Sequence, residues 1–291
     1  MAASEPSSHS KWRFRWREWA VVAVIVAILI ALLWPAVQMA IDSGSANWTQ
    51  HNLKYVGLAA HNFSYHERRG TFPSHAAAAE VAGAGNPVPS WQTVLLPFAD
   101  AGRAWDAYDL TQPYDHPANA AVVEMDIPLY VNSHPTHGAP TTTNGFGLSH
   151  YAGNVHVLGQ GGEGRLDHIS DGLSETVLAG QVAGFYKPWA DPTNLRDPAA
   201  GFGFAPQQFG RPSYPSREAD GTTDGAFLLM CDGSTRYFSA ETDPDVLAAL
   251  GTPVGGERLE EWDLWGESQA EWERRNQQRR ERLEAGSGLT P

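Results

Sequence analysis

Histidine has the most versatile chemistry of the residue types in this chain, and the sequence contains 11 of them. His134 and His137 stand too close together for a zinc-protease motif, and the Pro, Gly and Thr residues around them predict a loop. His61 and His66 fall five residues apart on a predicted helix, a spacing that turns their side chains away from each other. The sequence has no HExxH segment, so we expect no metal site and no cofactor.

The candidate nucleophiles and carboxylates stand in sequence contexts that are typical of core residues and turns. The sequence has no G-x-S-x-G segment, and its single cysteine, Cys231, follows an apolar run that predicts a buried strand residue. Asp232-Gly233 lies between two apolar runs and predicts a hairpin turn. A calcium loop is disfavoured there, because calcium takes about six to eight oxygens and such a turn supplies few. In Ser170-Asp171-Gly172 we expect the aspartate to cap its own backbone. We therefore expect a protein that is not an enzyme.

The charge balance excludes one class of partner. The 291 residues include 20 Lys and Arg against 33 Asp and Glu, which gives a net charge of −13 at pH 7. A protein that binds nucleic acid by neutralising phosphates needs the opposite balance, so we expect no nucleic-acid partner. The single cysteine excludes an intrachain disulfide framework.

The N-terminal region has the pattern of a membrane anchor. Residues 20–37 are almost entirely apolar, and the run 19–41 reaches the ~20 residues that span a bilayer. Basic residues precede the run at Lys11, Arg13, Arg15 and Arg17. The positive-inside rule then predicts a cytoplasmic N-terminus and an exported C-terminal region. A cleavable secretory signal and a buried core helix remain as alternatives.

Composition divides the chain into five segments. The predicted order is a basic cytoplasmic N-terminus (1–18), a transmembrane helix (19–41), an amphipathic helical segment (42–70), an extracytoplasmic β-rich domain (71–256) and a charged tail (257–291). In the third segment apolar residues repeat on one helical face, at Leu53, Val56, Ala60 and Phe63. The tail is expected to be helical or disordered, and its spaced tryptophans could dock a protein partner: Trp262, Trp265 and Trp272.

Between Thr71 and Thr252 short apolar runs alternate with Gly, Pro, Asn and Asp. This pattern is typical of strands in an antiparallel, loop-rich domain. The predicted strands are Val94–Phe98, Ala121–Val131, Val155–Leu158, Thr176–Ala179, Ala226–Met230 and Thr235–Phe238. The expected fold class is therefore α+β, with a hydrophobic N-terminal helix followed by an antiparallel β-rich domain.

Several ordered segments carry a resemblance to a known family. They are AILIALLWPAVQ at 27–38, HNLKYVGLAAHNFSYHERRGTFP at 51–73, SWQTVLLPF at 90–98, IPLYVNS at 127–133, SHYAGNV at 149–155, ISDGLSETVLAGQ at 169–181, PWADP at 188–192 and CDGSTRYFS at 231–239. In order and spacing they resemble the bacterial family called domain of unknown function 1559. The resemblance implies a pilin-like N-terminal helix.

The same resemblance implies pilin-type processing, in which a peptidase cuts between Gly and Phe and a nearby Glu guides assembly. Phe14 and Glu18 occupy these positions, but Arg13 replaces the Gly. Arg15 and Arg17 place charge where the helix should be apolar. We therefore expect that the anchor is never cleaved, and filament assembly is disfavoured.

Two further departures concern the exported domain. Family members often carry a His nine residues before a late Asp-Gly, and here Thr222 stands at that place before Asp232-Gly233. They also often have Cys where this chain has Thr49 and Asn132. The resemblance implies that those two cysteines pair, because both are missing together.

The sequence as a whole favours a non-enzymatic pilin- or pseudopilin-like component of the envelope or surface. We expect a single-pass inner-membrane protein with its main domain outside the cytoplasm, in contact with the bilayer and able to assemble with like or unlike chains through its N-terminal helix. The alternative is a membrane-tethered module that binds an envelope polymer or solute, through aromatic residues such as Trp91, Trp105 and Trp189 if these are not core. An envelope hydrolase is the least favoured function.

Overall fold

The computed structural model describes residues 16–66, 69–132, 145–162, 164–211, 223–257, 259, 263, 270 and 272–278, without the side chains of 16–18, 35, 36 and 38–42. The chain divides into two compact units, Met1–Gly44 and Ser45–Pro291. Helix α1, Trp16–Tyr65, begins in the first unit and ends in the second. The sequence is compatible with either a flexible joint or a continuous helix at 42–45, and in the structure α1 continues through these residues.

In the first unit, the large apolar side chains of α1 that the structure describes are exposed. Every large one from Trp19 to Trp34 is between 46% and 70% exposed. Over the described residues, no helix is both long and apolar enough to cross a membrane. The pilin-like transmembrane helix expected at 19–41 therefore stays a prediction.

In the second unit, the rest of α1 is amphipathic. Its buried face includes the four residues whose spacing predicts it, each at most 2% exposed: Leu53, Val56, Ala60 and Phe63. Trp48, Tyr55 and Leu58 lie exposed on the other side. After the helix ends, Gly70 adopts φ +64°, a left-handed conformation that glycine tolerates without steric cost.

The second unit is built on a five-stranded sheet. Its strands are β2 (Tyr151–Asn154), β3 (Val177–Gln181), β5 (Leu195–Arg196), β6 (Gly225–Met230) and β7 (Thr235–Ser239). They lie in the order β5-β2-β3-β6-β7, and every neighbouring pair is antiparallel except β2 and β5, which are parallel. Strands β1 (Leu148–Ser149) and β4 (Lys187–Pro188) form a separate antiparallel pair.

Strand β6 separates two apolar cores, because alternate residues of a strand point to opposite faces. Phe227 and Leu229 pack in the core that contains the buried face of α1. Leu228 and Met230 pack in a smaller core together with Phe209. All six residues of β6 are buried, which explains its continuous apolar sequence.

Short helices surround the sheet. They are α2 (His75–Ala82), α3 (Gly102–Ala107), α4 (Ala120–Val123), α5 (Val155–Leu158) and α6 (Pro244–Gly251), with 3-10 turns at Leu96–Phe98, Pro128–Tyr130, Leu166–His168 and Pro198–Ala200. Side-chain caps begin three of the helices, since Ser74, Asn154 and Asp243 each accept a backbone N–H of the first turn. In the tail, residues 270 and 272–278 are helical, and most of 257–291 lies outside the described residues.

The α+β class is confirmed, but half of the predicted strands are wrong. The last three coincide with β3, β6 and β7. Val94–Phe98 instead forms turns, Ala121–Val131 contains α4 and a 3-10 turn, and Val155–Leu158 is α5. Pro97 and Pro128 begin two of the 3-10 turns, because proline presets a helical φ and cannot donate to a strand ladder. The expected all-antiparallel arrangement also fails at the pair β2 and β5.

Candidate functional site

Three sequence motifs meet in a buried polar network around β2. Gln92 Nε2 donates to Ser149 Oγ at 2.8 Å, and Gln92 Oε1 accepts from Asn194 Nδ2 at 2.9 Å. Asn194 Nδ2 and Ser149 Oγ also donate to the carbonyl of Tyr151, at 2.9 and 2.8 Å. Ser90 Oγ of SWQT also donates to the carbonyl of Trp189 in PWADP at 2.6 Å. Unpaired polar groups are costly when buried, so these bonds fix SWQT, PWADP and the residues just after it against the YAGN strand.

The tryptophans of these motifs belong to the core. Trp91 and Trp189 are 3% and 0% exposed. Trp91 Nε1 donates to the carbonyl of Asn194 at 3.1 Å, and Trp189 Nε1 donates to the carbonyl of Met125 at 2.9 Å. Trp105 is half-buried at the edge of the same core. The three residues therefore do not form an open aromatic surface.

Asn154, the last residue of the YAGN motif, joins three elements. Its Nδ2 donates to the carbonyls of Val177 and Gly251, both at 2.7 Å, and its Oδ1 accepts from the backbone N–H of His156 at 3.0 Å. One buried amide thus fastens β3, the end of α6 and the start of α5. The motif positions α5, which forms part of the cleft described below.

Asp171 does not cap its own turn as the sequence predicts. Its two carboxylate oxygens accept the backbone N–H groups of Gly255 and Gly256, at 2.6 and 2.9 Å. The carboxylate is free to do this because Gly172, at φ +108°, turns the chain sharply just after it. Asp171 therefore holds the segment that follows α6, more than eighty residues further along the chain.

Asp232 and Gly233 form the predicted hairpin turn between β6 and β7. Asp232 Oδ1 accepts the N–H of Ser234 at 2.7 Å, and Gly233 adopts φ +85°. The N–H of Asp232 donates to the carbonyl of Leu173 at 2.8 Å, so the structure brings the two Asp-Gly turns together. At Gly57 of α1, an added Cβ would lie 3.3 Å from Gly233 Cα, so the hairpin packs closely on the helix.

Thr49 and Asn132, the two positions where the family resemblance places cysteines, are in contact. Asn132 Nδ2 donates to Thr49 Oγ1 at 2.7 Å, and both residues are buried. Gln181 Nε2 also donates to Thr49 Oγ1, at 3.4 Å. A buried hydrogen bond thus joins α1 to the chain just after the Pro128–Tyr130 turn, where a disulfide would fit the pairing that the resemblance implies.

The second unit contains a cleft of about 760 Å³. Its walls come from α2, α5 and the segments 87–91, 108–114 and 187–195. Rings of Trp91, Tyr108 and Tyr114 line it, and three glutamine side chains reach it: Gln112, Gln160 and Gln207. The volume is in the range of small-molecule sites, about 300–1,000 Å³. The sequence analysis missed this cleft, because its walls are far apart along the chain and the motifs SWQTVLLPF, SHYAGNV and PWADP contribute only some of the residues that line it.

Lys187 carries the one permanent charge among the described residues that line the cleft. Its Nζ donates to the carbonyl and the hydroxyl of Thr193, at 2.6 and 2.7 Å. Burial lowers the pKa of Lys187, and Asp191 partly opposes that shift. Burial also raises the pKa of Tyr108 and that of Tyr114, with Asp115 adding to both shifts. Both phenols are therefore protonated and uncharged at neutral pH.

A family model described as a protein of unknown function (DUF1559) matches residues 49–213. The chain belongs to this family. The match includes every wall of the cleft and the motifs from SWQTVLLPF to PWADP. No curated protein and no solved structure was found to match the chain.

The histidines of this DUF1559 protein are dispersed. His61 packs against Phe72 and His66 against Phe98, so the predicted divergence of the two rings is confirmed. His134, His137 and Thr222 lie outside the described residues. In the part of the chain that the structure describes, no group of three His, Cys, Asp or Glu side chains could hold a metal ion. The absence of a metal remains a prediction.

Two further histidines flank the YAGN strand. His150 is buried, its Nδ1 accepts the N–H of Asn132 at 2.6 Å, and burial lowers its pKa to about 4. His150 is therefore neutral at physiological pH. His156 Nε2 lies 3.1 Å from Asp197 Oδ1, in a pair that is partly exposed.

Cys231 is fully buried, as its sequence context predicts, and burial raises the pKa of its thiol. A thiol in this state is not a nucleophile at neutral pH. Of the processing positions, Arg13 and Phe14 lie outside the described residues of this family member. Glu18 lies in α1, and its side chain is outside the description.

Proposed function

We propose that this DUF1559 protein is a non-enzymatic, pilin-like component of the cell envelope. The N-terminal part of α1 anchors it in the inner membrane with Met1 on the cytoplasmic side, and the second unit lies outside the cytoplasm. The main support is the exposure of the apolar side chains from Trp19 to Trp34, each between 46% and 70%. A helix that is apolar on all sides requires a bilayer or other apolar helices around it.

The contrast within α1 also supports a pilin-like arrangement. Its first part has no buried face, whereas its second part buries the stripe from Leu53 to Phe63 in the globular unit. In such an arrangement the first part is free to contact lipid or the same part of other chains. Arg13 stands where the processing peptidase needs Gly, so we propose that the anchor is retained uncut.

The test is fractionation of cells that express the full chain, followed by an alkaline carbonate wash of the membranes. The variant Ile25→Arg/Leu29→Arg places two charges in the anchor, each of which costs about 2.5–3.5 kcal/mol at the centre of a membrane helix. Leu58→Arg is the matched control, because Leu58 is equally exposed but lies in the second unit (54% against 51% and 52%).

We expect the wild type and Leu58→Arg to stay in the washed membranes and the double variant to leave them. Release of the wild type by carbonate would overturn the anchor. The intact mass of the extracted protein then decides its processing. A mass that starts at Met1 or Ala2 supports the retained anchor, and a mass that lacks Met1–Arg13 with a methylated Phe14 supports a processed pilin instead.

The cleft favours a second function, a tethered module that binds an envelope polymer or solute. Its described lining offers one lysine, one histidine and no carboxylate, together with aromatic rings and amides. This set can hold a ligand through packing and hydrogen bonds. It lacks the paired carboxylates that glycoside hydrolysis uses, which supports binding without turnover.

A further inference from the structure

We propose that the cleft of about 760 Å³ binds an uncharged oligosaccharide. The proposal rests on the binding-module function and is independent of how the protein is anchored. It follows from three properties of the cleft, which are its rigid aromatic rings, its unengaged amides and its compensated charge.

Two aromatic rings of the cleft are held in place by packing against other aromatic side chains. Tyr114 meets the ring of Phe146 edge-on, with centroids 6.1 Å apart, and Tyr108 packs on Trp189 at 6.5 Å. Tyr108 is mostly buried and Tyr114 is partly exposed, so Tyr114 offers the more accessible ring. Rigid aromatic faces suit the apolar C–H faces of sugar rings, because little side-chain freedom is lost on contact.

Three amides of the cleft have hydrogen-bonding capacity to spare. Within the described residues, the side chains of Gln112, Gln160 and Gln207 make no hydrogen bond to another protein group. Each amide both donates and accepts, as does each hydroxyl of a sugar. Amides next to aromatic rings therefore match a ligand that combines apolar faces with a dense rim of hydroxyls.

The charges of the cleft favour an uncharged ligand over an anionic one. Lys187 already donates to the carbonyl and hydroxyl of Thr193, and Asp191 Oδ1 in turn accepts the N–H and hydroxyl of Thr193 at 2.7 Å each. The positive charge of Lys187 is therefore balanced by the carboxylate of Asp191, to which Thr193 links it. At the aromatic end, burial raises the pKa of Tyr114, and the nearby carboxylates of Asp191 and Asp115 add to that shift, so the field there is negative. An anion would meet that field without a free cation to hold it.

The test is calorimetric titration of the purified full chain in a detergent whose headgroup contains no sugar. The probes are cellohexaose and chitohexaose as uncharged glycans, an oligogalacturonate of similar length as an anionic glycan, and a proline-rich peptide. Tyr114→Ala removes the accessible ring, and Tyr114→Phe keeps the ring without its hydroxyl. Tyr65→Ala is the matched control, because Tyr65 is exposed and does not line the cleft.

We expect at least one uncharged glycan to bind with an affinity that changes little between low and high salt. Tyr114→Ala should weaken that binding about tenfold, while Tyr114→Phe and Tyr65→Ala should change it by less than about threefold. Thermal melts of the variants must match the wild type. If Tyr114→Ala fails to fold, Tyr114→Leu takes its place, because it removes the aromatic ring but keeps an apolar side chain against Phe146, and it should weaken binding in the same way.

Three results would overturn the proposal. Salt-dependent binding of the oligogalacturonate alone would show that the cleft binds an anionic ligand instead of an uncharged one. Binding of the peptide alone would assign the cleft to protein recognition. Binding of no probe, or glycan binding that Tyr114→Ala leaves intact, would remove the oligosaccharide site, while the carbonate wash still decides the anchor separately.

Discussion

A disulfide at Thr49 and Asn132 should form and should stabilise the second unit. The side chains of these residues already touch, with Nδ2 of Asn132 2.7 Å from Oγ1 of Thr49. Because the two side chains already meet, we expect the backbone to need only a small adjustment to reach disulfide geometry. The perturbation is the double variant Thr49→Cys/Asn132→Cys in the full chain.

The size of the effect follows from the loop that the bond closes. A crosslink between Thr49 and Asn132 encloses a loop of roughly 80 residues, which removes about 4.5 kcal/mol of conformational entropy from the unfolded chain. The variant also loses the buried hydrogen bond, worth about 1 kcal/mol. We therefore expect the oxidised double variant to gain about 3 kcal/mol in free energy of unfolding, and the reduced form to be less stable than the wild type.

The assay is denaturant unfolding of the detergent-solubilised protein with and without a reductant, together with a count of free thiols in the unfolded state. Cys231, buried in the folded protein, should be the one thiol left in the oxidised variant. The single variants Thr49→Cys and Asn132→Cys should show no stabilisation that depends on the reductant. Three free thiols after mild oxidation would refute the pairing, and a disulfide without added stability would refute the energetic argument.

Three more variants test other contacts. Gly57→Ala places a Cβ 2.9 Å from Leu229 Cδ1, so it should lower the free energy of unfolding by about 1–3 kcal/mol in denaturant unfolding. Gly44→Ala is the control, because a Cβ there has nothing within 4 Å, and it should not lower the free energy of unfolding. Asp171→Ala should speed limited proteolysis of the segment after α6 about tenfold, because the two charge-assisted hydrogen bonds to Gly255 and Gly256 are lost. An unchanged cleavage rate would contradict the role of the Asp171 carboxylate in holding this segment. Burial lowers the pKa of His150 to about 4, and the unfolded value is about 6.5. Stability is therefore fully present above pH 6.5 and should fall by up to about 3 kcal/mol as the pH drops towards 4. In denaturant unfolding across that pH range, His150→Asn should flatten this slope, and an equal slope in both proteins would assign the loss to other groups.

The sequence predicted the buried face of the long helix better than the secondary structure of the short apolar runs. The repeat from Leu53 to Phe63 placed the buried face of α1 correctly, because four residues at helical spacing can form only one stripe. The run Val155–Leu158 was misassigned to a strand, because a short apolar run fits a strand and a buried helix equally well. The run forms a helix because the side chain of Asn154 caps α5, so that β2 ends at Asn154.

The site was less predictable than the fold. The turn at Asp232-Gly233 follows from local chemistry, and it was predicted correctly. The acceptors of Asp171 could not be predicted, since Gly255 and Gly256 come near it only through the packing of the whole unit. The cleft depends in the same way on tertiary structure, because His75 and Gln207 lie on it together although they are distant in the sequence.

The alignment of contacts along α1 has a mechanical consequence. Leu53, Val56, Ala60 and Phe63 hold the helix to the globular unit in a row parallel to its axis, and the hairpin packs against Gly57 in the middle of that row. A pull along the axis strains all of these contacts at the same time, whereas a sideways pull separates them one turn after another. The attachment of the helix should therefore withstand axial tension better than a sideways pull.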